Sequence, residues 1–431
     1  MEGTTIPGTS DNMNEHNPTA PILPISTISD SSSCSDEVDD NDDDLDLNDI
    51  TPNPYKPSKT LTLTVIRTYD GETIPLTSNL KVLVVKNFPV TQSPVMLIVP
   101  LIHEDLHRNT RTVALKLYDR RFGPNFRGDP RPRRRPPPPP QQPSHRSSRF
   151  LPNTISSETA YREFVRSGDS AAYAARLLRD KETSITRAGG QIFPSHSYRR
   201  RRRRHLTKAD RLARFECALQ LLAVQQFRTE TKAYDRLSDL QGIGIPKVLA
   251  HVKFSIAPAA DDDDDDDDES FTIYGVIMEK IVGYSLDQLP THPKAAQPKS
   301  EWSRIVQEAV DIAFEINKRG VLMEDCRPQN VLVDQNTRKP FVHDFAQVLF
   351  RDDFPEQEDD DEEAEEGEEE NDDYGPGLLG EPIDSYDRMV RFLGNTFAIG
   401  GVMAKIIKRE AQVDLEIRYP DLENISAHLG T

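Results

Sequence analysis

The chain has 431 residues and a net charge of −19, and only 36% of its residues are aliphatic or aromatic. An ordinary globular domain holds about 45–50% apolar residues with glycine counted, so composition excludes one continuous set of packed domains. Cys34, Cys217 and Cys326 stand at unrelated spacings, which excludes a disulfide framework and a cysteine zinc site. No apolar run nears the roughly 20 residues needed to cross a bilayer, and Glu2 and Asp11 do not suit a secretory signal. An intracellular protein with no membrane partner is therefore expected.

In chain order, residues 1–59 read as a disordered acidic tail, with the run Asp36–Asp49 at its centre. Leu61–Ile66 alternates with β-branched residues and predicts a strand, as do Leu80–Val85 and Val95–Val99. In Thr112–Tyr118 the alternation places Val113, Leu115 and Leu117 on one face and Ala114, Lys116 and Tyr118 on the other. Residues 123–205 read as a disordered insertion rich in arginine and proline, holding Pro136–Pro140 and the run Arg199–Arg204. From Lys208 to Leu240, Leu212, Phe215, Leu219, Leu222, Tyr234 and Leu237 recur at helical spacing until Gly242 and Pro246. An acidic insertion over 258–270 precedes a buried strand at Phe271–Met278. Glu301–Arg319 is a second amphipathic helix, stopped by Gly320. Val331–Val333 and Phe341–Val342 make short strands, and a third acidic insertion covers 352–376. The acidic runs hold 34 of the 72 acidic residues, and outside them the chain is basic.

Three patterns stand in fixed order on these elements: Val113-Ala-Leu-Lys116 on a strand, Asp325-Cys-Arg-Pro-Gln-Asn330 after a helix, and His343-Asp-Phe-Ala346. Asp344 lies 19 residues beyond Asp325. Phosphoryl transfer from a nucleotide needs a cation on the phosphates, oxygen ligands for Mg²⁺ and a base near the acceptor hydroxyl. Asn330 and Asp344, flanking a short hairpin, suit the metal.

Those residues resemble the protein-kinase-like superfamily. Met323–Asn330 is similar to the catalytic loop His-Arg-Asp-Leu-Lys-Pro-x-Asn, Val113–Lys116 to the Val-Ala-Ile-Lys strand and Asp344-Phe-Ala to Asp-Phe-Gly. Ala114–Phe122 and Gly320–Asn330 look like kinase-like proteins abundant in fungi. The resemblance implies an α+β, two-lobed protein-kinase-like fold, with a small antiparallel sheet lobe and a reduced helical lobe. This domain would span 60–425, interrupted by the three insertions. It further implies ATP and Mg²⁺ as cofactors, with Lys116 on the α/β-phosphates and Glu230 as its helix-borne partner. Asp325 would be the catalytic base, Arg327 would stand at the catalytic-loop lysine position, and Asn330 and Asp344 would be metal ligands. Backbone groups near Glu279–Ile281 would meet the adenine.

Departures from the pattern keep other classes open. Gly71 is the only glycine between Leu61 and Arg111, so no glycine-rich phosphate loop is visible. Met323 and Glu324 replace the His-Arg pair, and Ala346 replaces the last glycine. No Ala-Pro-Glu follows the acidic run, and 87 residues remain after Asp344. The alternatives are a pseudokinase scaffold, a small-molecule kinase of the aminoglycoside or choline type, and a nucleic-acid-binding protein using Arg199–Arg204. Partners of these readings are a protein substrate, an SH3- or WW-type domain on Pro136–Pro140, or nucleic acid. The address stays nuclear or cytoplasmic, with the run Arg199–Arg204 as the one feature that suggests the nucleus.

Overall fold

Alternation sets the first half of the fold. In the computed structural model, Thr60–Thr68 (β1), Leu80–Asn87 (β2), Val95–Pro100 (β3), Val113–Tyr118 (β4), Val248–Ser255 (β5) and Thr272–Met278 (β6) are all antiparallel. They close into a barrel of order β1-β2-β3-β4-β6-β5. The structure describes residues 47–70, 74–88, 93–101, 111–123, 127, 152–185, 206–255, 269–295, 299–354, 386–421 and 425. All lie in one compact unit, Asp46–Thr431; the other unit, Met1–Leu45, falls outside the described residues.

The sheet lobe differs from the expected small sheet because it closes. β1 pairs with β2 across Thr60–Leu63, and its second half, Thr64–Thr68, lies against β5. A closed sheet leaves no strand edge unpaired. Leu63, Val65, Val82, Val84, Met96, Ile98, Val113, Leu115 and Leu117 are buried together in one cluster with β5 and β6 residues. Gly275 permits this packing, since a Cβ there would lie 2.7 Å from Leu117 Cδ2.

The opposite face of β4 turns to a helix. Lys208–Arg236 (α3) begins with a capping box, in which Thr207 and Asp210 satisfy each other's backbone amides. Two shorter helices precede it, Ile155–Arg166 (α1) and Asp169–Ile185 (α2). Both fall within the stretch expected to be disordered, which corrects that reading over 155–185. There Ala160, Tyr161 and Phe164 repeat at helical spacing and pack on Ala213 and Cys217 of α3. The acidic-tail reading is corrected over 47–59 as well: Tyr55 is buried and its hydroxyl donates to Asp119 at 2.5 Å. Of the two later acidic insertions, Glu269–Phe271 and Arg351–Asp353 form 3-10 turns. Pro136–Pro140, Arg199–Arg204 and Asp261–Asp268 lie outside the described residues.

The second half is built on Glu301–Lys318 (α4), whose buried stripe runs through Trp302, Ile305, Val306, Ala309, Val310, Ala313 and Ile316. Gly320, at φ 71°, ends it where only glycine is at ease. Gly283–Ser285 (β7), Val331–Asp334 (β9) and Pro340–Val342 (β10) form a sheet of order β10-β9-β7. Val321–Met323 (β8) pairs with Val348–Phe350 (β11). Gly283 is pressed against β9: a Cβ there would sit 1.8 Å from the Val333 carbonyl oxygen. Gly283→Ala is expected to cost about 1–3 kcal/mol and to lower the melting temperature by several degrees. Unchanged thermal unfolding would mean that β7 does not lie on β9.

Tyr386–Leu393 (α5) and Asn395–Ala411 (α6) meet at Gly394, which has φ 54°. By length and composition alone the span Tyr386–Ala411 is long and apolar enough to cross a membrane, a stretch not singled out among the apolar runs of the sequence. One face of it is used in packing: Ile399, Met403 and Ile407 are buried in the cluster that holds α4, while Phe392, Phe397 and Val402 are exposed.

Candidate functional site

Lys116 is reached from three directions. Its strand places it outside the barrel, facing α3, and it is only 7% exposed. Its Nζ donates to Glu230 Oε2 at 2.5 Å and to Asp344 Oδ1 at 2.6 Å. Tyr118, two residues on and on the same face, donates its hydroxyl to the same Glu230 oxygen. Burial alone would depress the Lys116 amine, but Asp344 and Glu230 outweigh it and raise it to about 12. The two carboxyls part in the opposite sense. Burial raises Glu230, whereas for Asp344 the ammonium overcomes burial and holds it below the ordinary carboxylate range. Glu230 Oε1 is buried without a hydrogen-bond partner.

Asp344 sits in the turn after β10 at φ 69°, a conformation that Asp tolerates better than most residues. Phe345, fully buried, holds the turn under α3 through an edge contact with Tyr234 at 5.2 Å. The amide of His343 donates to the Asn330 carbonyl at 2.9 Å, which ties this turn to the Asp325–Asn330 loop. Within that loop Asn330 Nδ2 donates to the Asp325 carbonyl at 2.8 Å, and Arg327 pairs with Asp325 at 2.9 Å. Arg327 is exposed and Asp325 half-buried. Burial raises the Asp325 carboxyl, against the pull of Arg327.

The sequence-predicted residues therefore fall into three groups. Lys116, Glu230 and Asp344 touch. Asp325, Arg327 and Asn330 share a loop bonded to the Asp344 turn. Glu279 and Ile281 lie on the connection from β6 to β7, half-buried, where the Glu279 amide donates to the Lys247 carbonyl at 2.9 Å and its side chain accepts from the Lys247 amide at 2.8 Å. Lys116 is opposite Val276 and Ala114 is opposite Met278, so this connection starts about 10 Å along the strand from the lysine. Sequence reasoning missed Tyr118 as a partner of Glu230. It also missed Arg120, which lies in the turn after β4 and is 1% exposed. The i, i+2 spacing of Lys116 and Tyr118 on β4 was the available signal for the first, whereas Arg120 stands past the end of the strand.

Two histidines give a pH dependence. Burial pushes His251 and His343 down to about 4 from the ordinary 6.5. In the unfolded chain both rings take up a proton near 6.5, so the unfolded state binds more protons between pH 6.5 and 4. Stability is expected to fall as the pH drops through that window, by at most about 3 kcal/mol per ring. Urea unfolding of wild type and His251→Gln at pH 7 and 4.5 checks this. An equal pH slope in the two proteins would contradict it.

Among the described residues no group of three or more His, Cys, Asp or Glu side chains is placed to hold a metal ion. No protein-family model matches the chain, and no curated protein matches it. Among solved structures it is similar to one described as WaaP in complex with acyl carrier protein, at 17% identity and a TM-score of 0.21. That match covers 29% of this chain and 50% of the other, so the chain spans half the length of that structure.

Proposed function

We propose that the chain is a protein-kinase-like phosphotransferase that binds Mg²⁺-ATP and transfers a phosphoryl group to a hydroxyl, with protein Ser/Thr as the acceptor class. The observation that carries this reading is Lys116 bridging a helix carboxylate, Glu230, and a loop carboxylate, Asp344. An ammonium held by Glu230 is oriented for phosphate oxygens, and the site would not have to reorganise as charge develops. Mg²⁺ takes one or two carboxylates together with substrate phosphates rather than an all-protein cage. Asp344 and the Asn330 amide oxygen fit an ion of that kind, one that arrives with the nucleotide. When bound, the ion would neutralise charge on the phosphates.

In the proposed reaction Asp325 accepts the proton of the acceptor hydroxyl, whose oxygen bonds to the terminal phosphorus as the bond to the departing ADP oxygen breaks. Arg327, paired to Asp325 and exposed, lies at the loop surface where an acceptor would approach. Glu279 and Ile281 would offer backbone groups to the adenine.

A second reading, a binding module on the same fold without turnover, is favoured by the course of β1. It stays with β2 only over Thr60–Leu63 and continues along β5, so β1 and β2 do not form a tight glycine-rich hairpin. Titration of Mg²⁺-ATP, followed by autophosphorylation, separates the readings. Binding with turnover, both lost in Lys116→Met, supports the enzyme. Binding without turnover supports the module, and no binding refutes both.

A further inference from the structure

We infer that the buried ion cluster of Arg120, Arg127, Glu158 and Glu216 is a positioning device that fixes α3 at the one register where Glu230 reaches Lys116. Its functional consequence rests on the phosphotransfer reading; its geometry does not. Glu216 and Glu230 are 14 residues apart on α3, close to four full turns, so they share a face over about 21 Å. That face meets Lys116 and Tyr118 at one end and Arg120, in the turn that follows β4, at the other. A slip of α3 by one turn, about 5.4 Å, would break both contacts together.

The cluster is more specific than packing requires. Arg120 donates to Glu216 Oε2 at 2.6 Å and to Glu158 Oε2 at 2.7 Å, and its guanidinium lies 4.4 Å from the centre of the Tyr161 ring. Arg127 forks onto both Glu216 oxygens at 3.0 and 2.6 Å and also donates to the Arg120 carbonyl at 3.1 Å. Arg120 and Arg127 are each 1% exposed and Glu216 is 0% exposed. Apolar residues of similar shape often replace such buried ion sets with no loss of stability. What they do not reproduce is direction: the Arg127 fork on both Glu216 oxygens, with Arg120 bridging Glu216 to Glu158, fits only one helix position. Glu158 brings α1 into the same lock. At the far end of α3, Arg236 grips both oxygens of Asp352 at 2.7 Å and the Gly320 carbonyl at 3.2 Å. The helix is therefore held on both sides of Glu230, which makes the Lys116–Glu230 pair a standing feature of the folded protein rather than the outcome of a helix swing.

The test uses the full chain and the triple variant Arg120→Met, Arg127→Met, Glu216→Leu, which keeps the volume and removes the direction. The readouts are urea unfolding and the rate of Lys116 acylation by a small amine-reactive reagent at pH 8.5, mapped by mass spectrometry. The expected result is cooperative unfolding, with Lys116 acylated about tenfold faster, because α3 no longer holds the Glu230 carboxylate on its Nζ. A folded variant whose Lys116 is as unreactive as in wild type would overturn the inference, since a purely structural role predicts that outcome. Should the triple variant not unfold cooperatively, Glu158→Gln at the rim of the cluster serves instead. A twofold or greater rise in Lys116 acylation there supports the inference, and none refutes it. Wild type that fails to bind Mg²⁺-ATP while Lys116 responds to these variants would remove the phosphotransfer reading and leave the device standing. Binding in wild type with an indifferent Lys116 would do the reverse.

Discussion

Lys116→Met is expected to destabilise the protein by about 3–5 kcal/mol at pH 8, because it strips the counter-charge from a buried carboxylate. Glu230 is 0% exposed, and its second oxygen already lacks a partner. Burial raises its carboxyl even with the ammonium in place, so without Lys116 it will take up a proton well above the ordinary carboxylate range. The folded variant then binds more protons than its unfolded chain, and its stability rises as the pH is lowered. Urea unfolding should show a smaller loss at pH 5.5 than at pH 8. The double variant Lys116→Met, Glu230→Gln should recover much of the loss and show no such pH slope. An equal loss at both pH values would mean that Glu230 is not the group left unpaired.

Asp344→Asn should separate charge from shape more cleanly. Asn accepts the left-handed conformation at φ 69° as readily as Asp does, and its amide oxygen can still receive the Lys116 amine, so the fold should be retained, with a smaller loss than Lys116→Met because Glu230 still balances the ammonium. The carboxylate is lost, however, and on the proposed reading it carries the Mg²⁺ contact. The gain in ATP affinity on adding Mg²⁺ should shrink by about 30–150-fold, the worth of about 2–3 kcal/mol for a charge-assisted contact. ATP titrations with and without Mg²⁺ read this directly. An undiminished Mg²⁺ effect in the variant would remove Asp344 from the metal site.

What the sequence made legible was local. Alternation placed Val113, Leu115 and Leu117 inside the sheet and Lys116 outside it, and helical spacing found α3 and α4 with the stop at Gly320. The order Lys116, Glu230, Asp344 pointed to one site, and these three side chains do meet. Non-local features stayed hidden. β5 is buried on both faces over Val248–Val252, so it has no alternation to read. Closure of the barrel depends on β1 meeting β5, nearly two hundred residues away, which no local window contains. Arg120 and Arg127 stand in an arginine-rich block, where like charges normally remain in water. Only their pairing with Glu216 and Glu158 on later helices takes them inside. α1 was masked by the same composition, although Ala160, Tyr161 and Phe164 carry a helical spacing that could have been weighed against it.

The central claim is that Lys116 faces the phosphates of a bound nucleotide. It is tested most directly with an ATP analogue carrying an acyl group on its terminal phosphate, which acylates a lysine held beside the phosphates. Lys116 should be labelled, and the label should be suppressed by Mg²⁺-ATP and weakened by Asp344→Asn. Absence of label at Lys116, or label there that Mg²⁺-ATP does not compete away, would contradict it.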